Sequence, residues 1–169
     1  MVLCYLGLGS NVGDRAGMIA RAVVCLVSGG AVVLRKMSGL YITEPWGRTD
    51  QPDFVNAAAE VETHLAAGDL LAEAKRIEGC LGRRGRARWG PREIDIDILF
   101  YGGQVVQEEG LVIPHPLVRE RVFVLAPLAE IAPGLVDPET GVEVGAYLED
   151  AYLRDSEKGG KTRWTSPTT

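Results

Sequence analysis

The chain has 169 residues, with 18 Lys or Arg against 23 Asp or Glu, a net charge of -5. That length builds one domain with a proper core, and 46% hydrophobic with 24% charged residues is ordinary for a globular protein. The acidic balance argues against general nucleic-acid binding, and no apolar run approaches the roughly 20 residues of a membrane span.

The opening MVLCYLGLGS lacks the basic start and the length of a signal peptide and reads as a first strand. Its end, Gly7-Leu8-Gly9-Ser10-Asn11, allows close backbone approach to a phosphate. The chain has no GKS or GKT, and an ordinary strand-to-helix turn is the better account of these glycines. Asp14 is placed to cap a helix over about 15–28, with Met18, Ala22 and Cys25 on one stripe. Residues 31–43 read as a long strand bulged at Ser38-Gly39, and 44–53 as a loop. Strand character resumes over 54–64, with Val55, Ala57, Ala59 and Val61 on one face. Asp69 is placed to cap a second helix carrying Leu70, Ala74, Ile77 and Leu81, which Gly82 ends.

After a loop over 83–92 comes Ile94-Asp95-Ile96-Asp97-Ile98, a strict alternation of period two. Beyond Gly102-Gly103 follow a hairpin, a Pro-His-Pro turn, short helices to about 130 and a last one near 145–152. The order strand-helix-strand, strand-helix-strand predicts an α+β fold. Two helices would cover one face of a mostly antiparallel four-stranded sheet, as in ferredoxin-like folds. The first and last strands would lie centrally, with the aspartates mid-sheet. One domain is expected over 1–155, and the polar residues 156–169 are expected to be a disordered tail. Cys4, Cys25 and Cys80 are odd in number and scattered, which predicts reduced core thiols in a cytoplasmic protein.

Aspartate is disfavoured in strands, yet Asp95 and Asp97 occupy one face, about 6.6 Å apart along the chain. Such a pair can hold one or two Mg²⁺ through hard oxygen ligands. The wet face of an amphipathic strand gives the same spacing. Just upstream, Arg83, Arg84, Arg86, Arg88 and Arg92 crowd five guanidinium groups into ten positions. Arginine forks match phosphate oxygens, so a polyanionic ligand is one reading and a solvated loop the other. Gly82, Gly85 and Gly90 let that loop close over a nucleotide. Trp46, Phe54, Trp89 and Phe123 lie in loops or at strand ends, where they either stack on a planar heterocycle or pack in the core. Asn56 shares the strand face of Phe54 and offers both a donor and an acceptor. His115 is held between two prolines, and His64 reads as a surface residue.

Four motifs in order, YLGLGSNVGDR, YITEPWGRTDQPDFVNAA, RWGPREIDIDIL and IPHPLVRERVFVLAPLAEIAP, resemble the 6-hydroxymethyl-7,8-dihydropterin pyrophosphokinases of folate biosynthesis. The resemblance covers about residues 2–134. It implies an α-β-α sandwich that transfers pyrophosphate from ATP to 6-hydroxymethyl-7,8-dihydropterin and releases AMP. It further implies that Asp95 and Asp97 bind two Mg²⁺, and that Thr43, Trp46, Phe54, Asn56, Trp89 and Phe123 surround the pterin. Glu78, Arg83, Arg84, Arg88, Arg92, His115 and Arg121 would surround ATP, with Arg83, Arg92 and Asp97 catalytic. Gly85 and Gly110 stand where relatives of this kind carry basic residues. The implied partners are these small molecules, with no nucleic acid and no membrane. The charge and the lack of an apolar surface stripe favour a monomer. The rival readings are a nucleotidyltransferase, which would release pyrophosphate, and a binding module without catalysis.

Overall fold

The computed structural model describes residues 1–45, 50–82 and 91–157. β1 (Val2–Ser10) leads into α1 (Arg15–Ser28), then β2 (Val32–Met37), β3 (Tyr41–Thr43) and β4 (Phe54–Thr63). α2 (Ala67–Cys80), β5 (Asp95–Tyr101), the hairpin of β6 (Val106–Glu108) and β7 (Leu111–Ile113), α3 (Val122–Ile131) and α4 (Val144–Glu157) follow. The main sheet has the order β2-β4-β1-β5, with β3 also on β4, and every pairing is antiparallel. The antiparallel sheet is the ferredoxin-like architecture anticipated from the sequence, although its strand order is not the one expected.

Both faces of the sheet are covered. α1 and α2 pack on one, in a core that includes Leu6, Ile19, Val61, Ile77 and Ile96. α3 and α4 pack on the other, against Tyr5, Ala58, Leu99 and Phe100. β4 is therefore buried along both faces, including Asn56, Ala58 and Glu60, which the single apolar face expected for it did not convey. No helix among the described residues is long and apolar enough to cross a membrane.

Four expectations need correction. The central strands are β1 and β4, while β5 ends the sheet. Its outer side is covered by other segments: His115 N–H donates to Leu99 O at 3.0 Å, and the Glu78 carboxylate accepts from Ile96 N–H at 2.7 Å. The segment 31–43 is two strands. At the break, Ser38 bonds Ala58 through both its N–H and its hydroxyl, and Glu130 of α3 accepts from Gly39 N–H. Helix α2 starts before Asp69, which sits in its first turn and complements the positive end of the helix dipole. Cys4 is a core thiol, but Cys25 is half-buried and Cys80 exposed. Asp14 does cap α1, accepting from Gly17 N–H at 3.0 Å, and His64 is exposed. α4 extends to Glu157, and residues 158–169 lie outside the described residues.

Candidate active site

The site forms on the α3 face, where β4, β1 and β5 run side by side. Register places Gly9 between Asn56 and Asp95, and Gly7 between Ala58 and Asp97. A Cβ at Gly9 would lie 3.0 Å from Asn56 Oδ1, and one at Gly7 would lie 3.4 Å from Leu99 Cδ2. The absent side chains leave a hollow in a packed sheet, a cavity of about 120 Å³. These glycines belong to the body of β1, so neither a phosphate turn nor an ordinary strand-to-helix turn describes them. Their function is to leave space.

One end of the cavity suits a flat polar ring. Phe54 from β4 and Phe123 from α3 contribute aromatic surface. Asn56 and Thr43 are buried, and Asn56 Nδ2 donates to Thr43 Oγ1 at 2.7 Å. That bond fixes the amide so that its oxygen stays available above Gly9. The Arg121 guanidinium lies 5.5 Å from the Phe123 ring centroid, within cation–π range. Burial draws its pKa down and the charges of Asp97 and Asp95 oppose this; a guanidinium remains charged throughout.

The other end is acidic and basic. Asp95, Asp97, Arg92 and Arg121 all line the same cavity. Arg92 pairs with Asp95 through Nη1. Asp97 is raised from 3.8 to about 6, first by loss of water and then by the Asp95 charge. Two hard carboxylates on one face, repelling each other, are what a divalent cation would relieve. That donor set fits Mg²⁺, which takes one or two carboxylates and completes its shell with water and phosphate oxygens. Among the described residues no three His, Cys, Asp or Glu side chains converge, as an all-protein zinc cage would require.

Asn11 ties the two ends together. It is buried, its N–H donates to Arg92 O at 3.1 Å and its Oδ1 accepts from Arg92 N–H at 2.8 Å. Its Nδ2 donates to Gln51 Oε1 at 3.1 Å and Pro52 O at 3.2 Å. Asn11→Ala therefore strands buried polar groups on two segments. It is expected to cost about 2–3 kcal/mol, readable as a lowered urea midpoint.

Of the residues singled out from the sequence, the structure brings Thr43, Phe54, Asn56, Arg92, Asp95, Asp97, Arg121 and Phe123 into one cavity. Glu78 and His115 lie beside it. Glu78 is 2% exposed, on the far side of β5. His115 Nδ1 accepts from Leu117 N–H at 3.2 Å, which leaves its proton on Nε2. Burial, with Arg121 nearby, holds its pKa below the usual histidine value, so the ring is neutral at pH 7. Trp46, Arg83, Arg84, Arg88 and Trp89, with the rest of the arginine loop, fall outside the described residues. Glu44, Gln51 and Leu99 line the cavity without having been anticipated. Gln51 sits in a polar loop where no periodicity distinguishes one residue from the next.

The model of the family described as 7,8-dihydro-6-hydroxymethylpterin-pyrophosphokinase (HPPK) matches residues 5–133. A 2-amino-4-hydroxy-6-hydroxymethyldihydropteridine pyrophosphokinase of Methylorubrum extorquens is 53% identical over 154 residues, covering 90% of this chain and 98% of the relative. The Bacillus subtilis protein of the same name is 43% identical over 141 residues, covering 83% of this chain and 84% of the relative. Among solved structures, a Plasmodium falciparum HPPK-DHPS chain superposes with a TM-score of 0.74 at 16% identity, covering 93% of this chain and 45% of that one. The chain thus spans about half the length of the solved structures it matches, and at such identity they speak for the fold alone. The family match over most of the chain and the 53% identity to a relative of nearly equal length agree with the cavity: this chain belongs to the 7,8-dihydro-6-hydroxymethylpterin-pyrophosphokinase family.

Proposed function

We propose that this chain transfers the β,γ-pyrophosphoryl group of ATP to the hydroxymethyl group of 6-hydroxymethyl-7,8-dihydropterin, giving the pterin diphosphate and AMP in folate biosynthesis. The observation that carries this reading is a single cavity. In it the Asn56–Thr43 pair and two phenylalanines adjoin the Asp95–Asp97 pair and two arginines. One end is chemically suited to a pterin and the other to a charged phosphate chain.

The Asn56 amide would read the amide-like edge of the pterin, with Phe54 and Phe123 against its faces. This aims the hydroxymethyl oxygen along the sheet, over Gly9 and Gly7, toward the carboxylates. In-line attack on the β-phosphorus forms the new O–P bond and breaks the bond to the α-phosphate oxygen, so AMP leaves. Two Mg²⁺ held by Asp95 and Asp97 would neutralise the triphosphate and lower the pKa of the attacking hydroxyl. Arg92 and Arg121 would offset charge on the transferred group, and the hydroxyl, acidified by the metal, would release its proton to water. By family resemblance, Arg83, Arg84 and Arg88 are assigned to the nucleotide, Trp46 to the pterin, and Trp89 to the pterin and the closing loop. His115, neutral with its proton on Nε2, would donate one hydrogen bond to a phosphate oxygen. The unit is one domain over 1–155, a cytoplasmic monomer that binds these small molecules and neither nucleic acid nor membrane.

Phosphorus NMR of the protein with ATP, Mg²⁺ and the pterin tests the reaction. AMP together with a new alkyl diphosphate is expected; ADP or free pyrophosphate contradicts it. The shape of the pterin end has its own test. Gly9→Ala puts a methyl group against Asn56 Oδ1. It is expected to raise the pterin KM about tenfold, the cost of about 1.4 kcal/mol of misfit, with the ATP KM unchanged. An unchanged pterin KM would remove Asn56 from the pterin site.

A further inference from the structure

Among the described residues β5 has a strand partner on one side only, yet it carries both carboxylates of the site. Between the two aspartates its open edge is held by a side chain. Glu78 Oε1 accepts from Ile96 N–H, the amide between Asp95 and Asp97, at 2.7 Å. Glu78 is 2% exposed. Both its oxygens accept from Lys75 Nζ, at 3.1 and 3.2 Å. Lys75 lies one turn earlier on α2 and keeps 47% of its side chain exposed.

A carboxylate buried this deeply is costly unless it is paired and hydrogen-bonded. Here the Lys75 ammonium supplies that pairing, donating to both carboxylate oxygens. The carboxylate's bond to the strand amide is charge-assisted and roughly twice as strong as a neutral one. A strand neighbour would have held this edge by a ladder of bonds; here the Glu78 bond at Ile96, beside the aspartates, and the His115 N–H bond to Leu99 O serve instead.

We propose that Glu78 and Lys75 form a positioning pair that fixes the Asp95–Asp97 segment of β5 for metal binding, with Glu78 acting through the Ile96 amide and without touching the nucleotide. This rests on the pyrophosphokinase reading for the identity of the metal-bearing ligand. It differs from the resemblance, which would place Glu78 at ATP.

The test is Mn²⁺ binding, followed by electron paramagnetic resonance, to the full chain with α,β-methylene-ATP, which cannot be cleaved at the bond the reaction breaks. Glu78→Met keeps the volume but removes the acceptor. It is expected to weaken Mn²⁺ binding about tenfold, a usual loss for a removed outer partner of a metal ligand, with pterin affinity changed less than about twofold. Glu78→Gln keeps an acceptor oxygen and is expected to stay within about threefold of wild type. Lys75→Met is expected to weaken Mn²⁺ binding in the wild-type background and to have no effect beside Glu78→Gln, where no charge needs a counter-ion.

Unchanged Mn²⁺ affinity in Glu78→Met overturns the proposal. So does Glu78→Gln losing as much as Glu78→Met, since charge or ligation would then be the role. An effect of Lys75→Met that persists beside Glu78→Gln overturns it too, by placing Lys75 on the nucleotide itself. Should Glu78→Met not fold, the Glu78→Gln and double-variant results decide alone. Wild-type AMP formation, measured separately, shows whether the pyrophosphokinase reading has failed instead.

Discussion

Asp97→Asn is expected to lose turnover by at least about a thousandfold, roughly 4 kcal/mol of barrier, while making the metal-free protein more stable. Both follow from one fact. The Asp97 carboxylate is shielded from water beside Asp95, and its pKa stands at about 6 instead of 3.8. Between those values the folded state binds a proton that the unfolded chain does not. Stability therefore falls as pH rises through that window, and the full penalty is present above pH 6. Asparagine keeps the shape and removes the charge. Its gain at pH 7 should be on the order of 1–2 kcal/mol, discounted for the carboxylate's partial exposure to the cavity. That amounts to about 3–6 °C in Tm for a chain of this size. The gain should shrink toward zero near pH 4, where wild-type Asp97 is itself protonated. Thermal scans in a chelator between pH 4 and 7.5 read this directly. A variant less stable than wild type at pH 7 would mean that the carboxylate is satisfied within the fold. The same sign applies to the metal: protons compete for Asp97, so Mg²⁺ affinity should drop as pH falls through 6.

Arg92→Ala is expected to lower kcat by about 10²–10³, the loss seen when one preorganised donor is removed from developing charge. Pterin affinity should change by less than about threefold. Arg92 lies at the centre of the site's framework. Its side chain pairs with Asp95, and its backbone is bonded in both directions to Asn11. The guanidinium thus occupies the acidic end of the cavity, and under the proposed function cations on the aspartates would leave it free to turn to phosphate oxygens. Arg92→Lys should recover less than about tenfold, since an ammonium cannot reproduce the planar fork. Full turnover in Arg92→Ala would assign the charge offset to Arg121 or the 83–90 loop.

The alternation of isoleucine and aspartate made β5 and its two-faced character legible. Helical spacing likewise marked Leu70, Ala74 and Ile77, all now buried. The Asp14 cap was legible because N-capping is local. The place of β5 in the sheet was not. A strand buried on both faces looks central, and here the cover on its outer edge comes from Glu78 and His115, 18 residues away in one case. A buried glutamate next to Ile77 gives no periodic signal of its burial. Gly7 and Gly9 were visible but ambiguous. Glycine after an apolar run is usually a turn, and only the register with Asn56 and the aspartates shows that these two leave a hollow in a strand. Asn11 stood in the same stretch, and its partners Gln51 and Arg92 are 40 and 81 residues away. Much of the pterin and phosphate assignment came from family motifs, which carry long-range pairing that periodicity cannot.

The most direct measurement is a crystal structure of the full chain with Mg²⁺, α,β-methylene-ATP and 6-hydroxymethyl-7,8-dihydropterin. The account predicts Mg²⁺ on Asp95 and Asp97 and the pterin against Phe54 and Phe123, with Asn56 on its edge. The hydroxymethyl oxygen should lie about 3–3.5 Å from the β-phosphorus, in line with the bridge to the α-phosphate. A pterin outside the cavity over Gly7 and Gly9, or metal on carboxylates other than this pair, would contradict it.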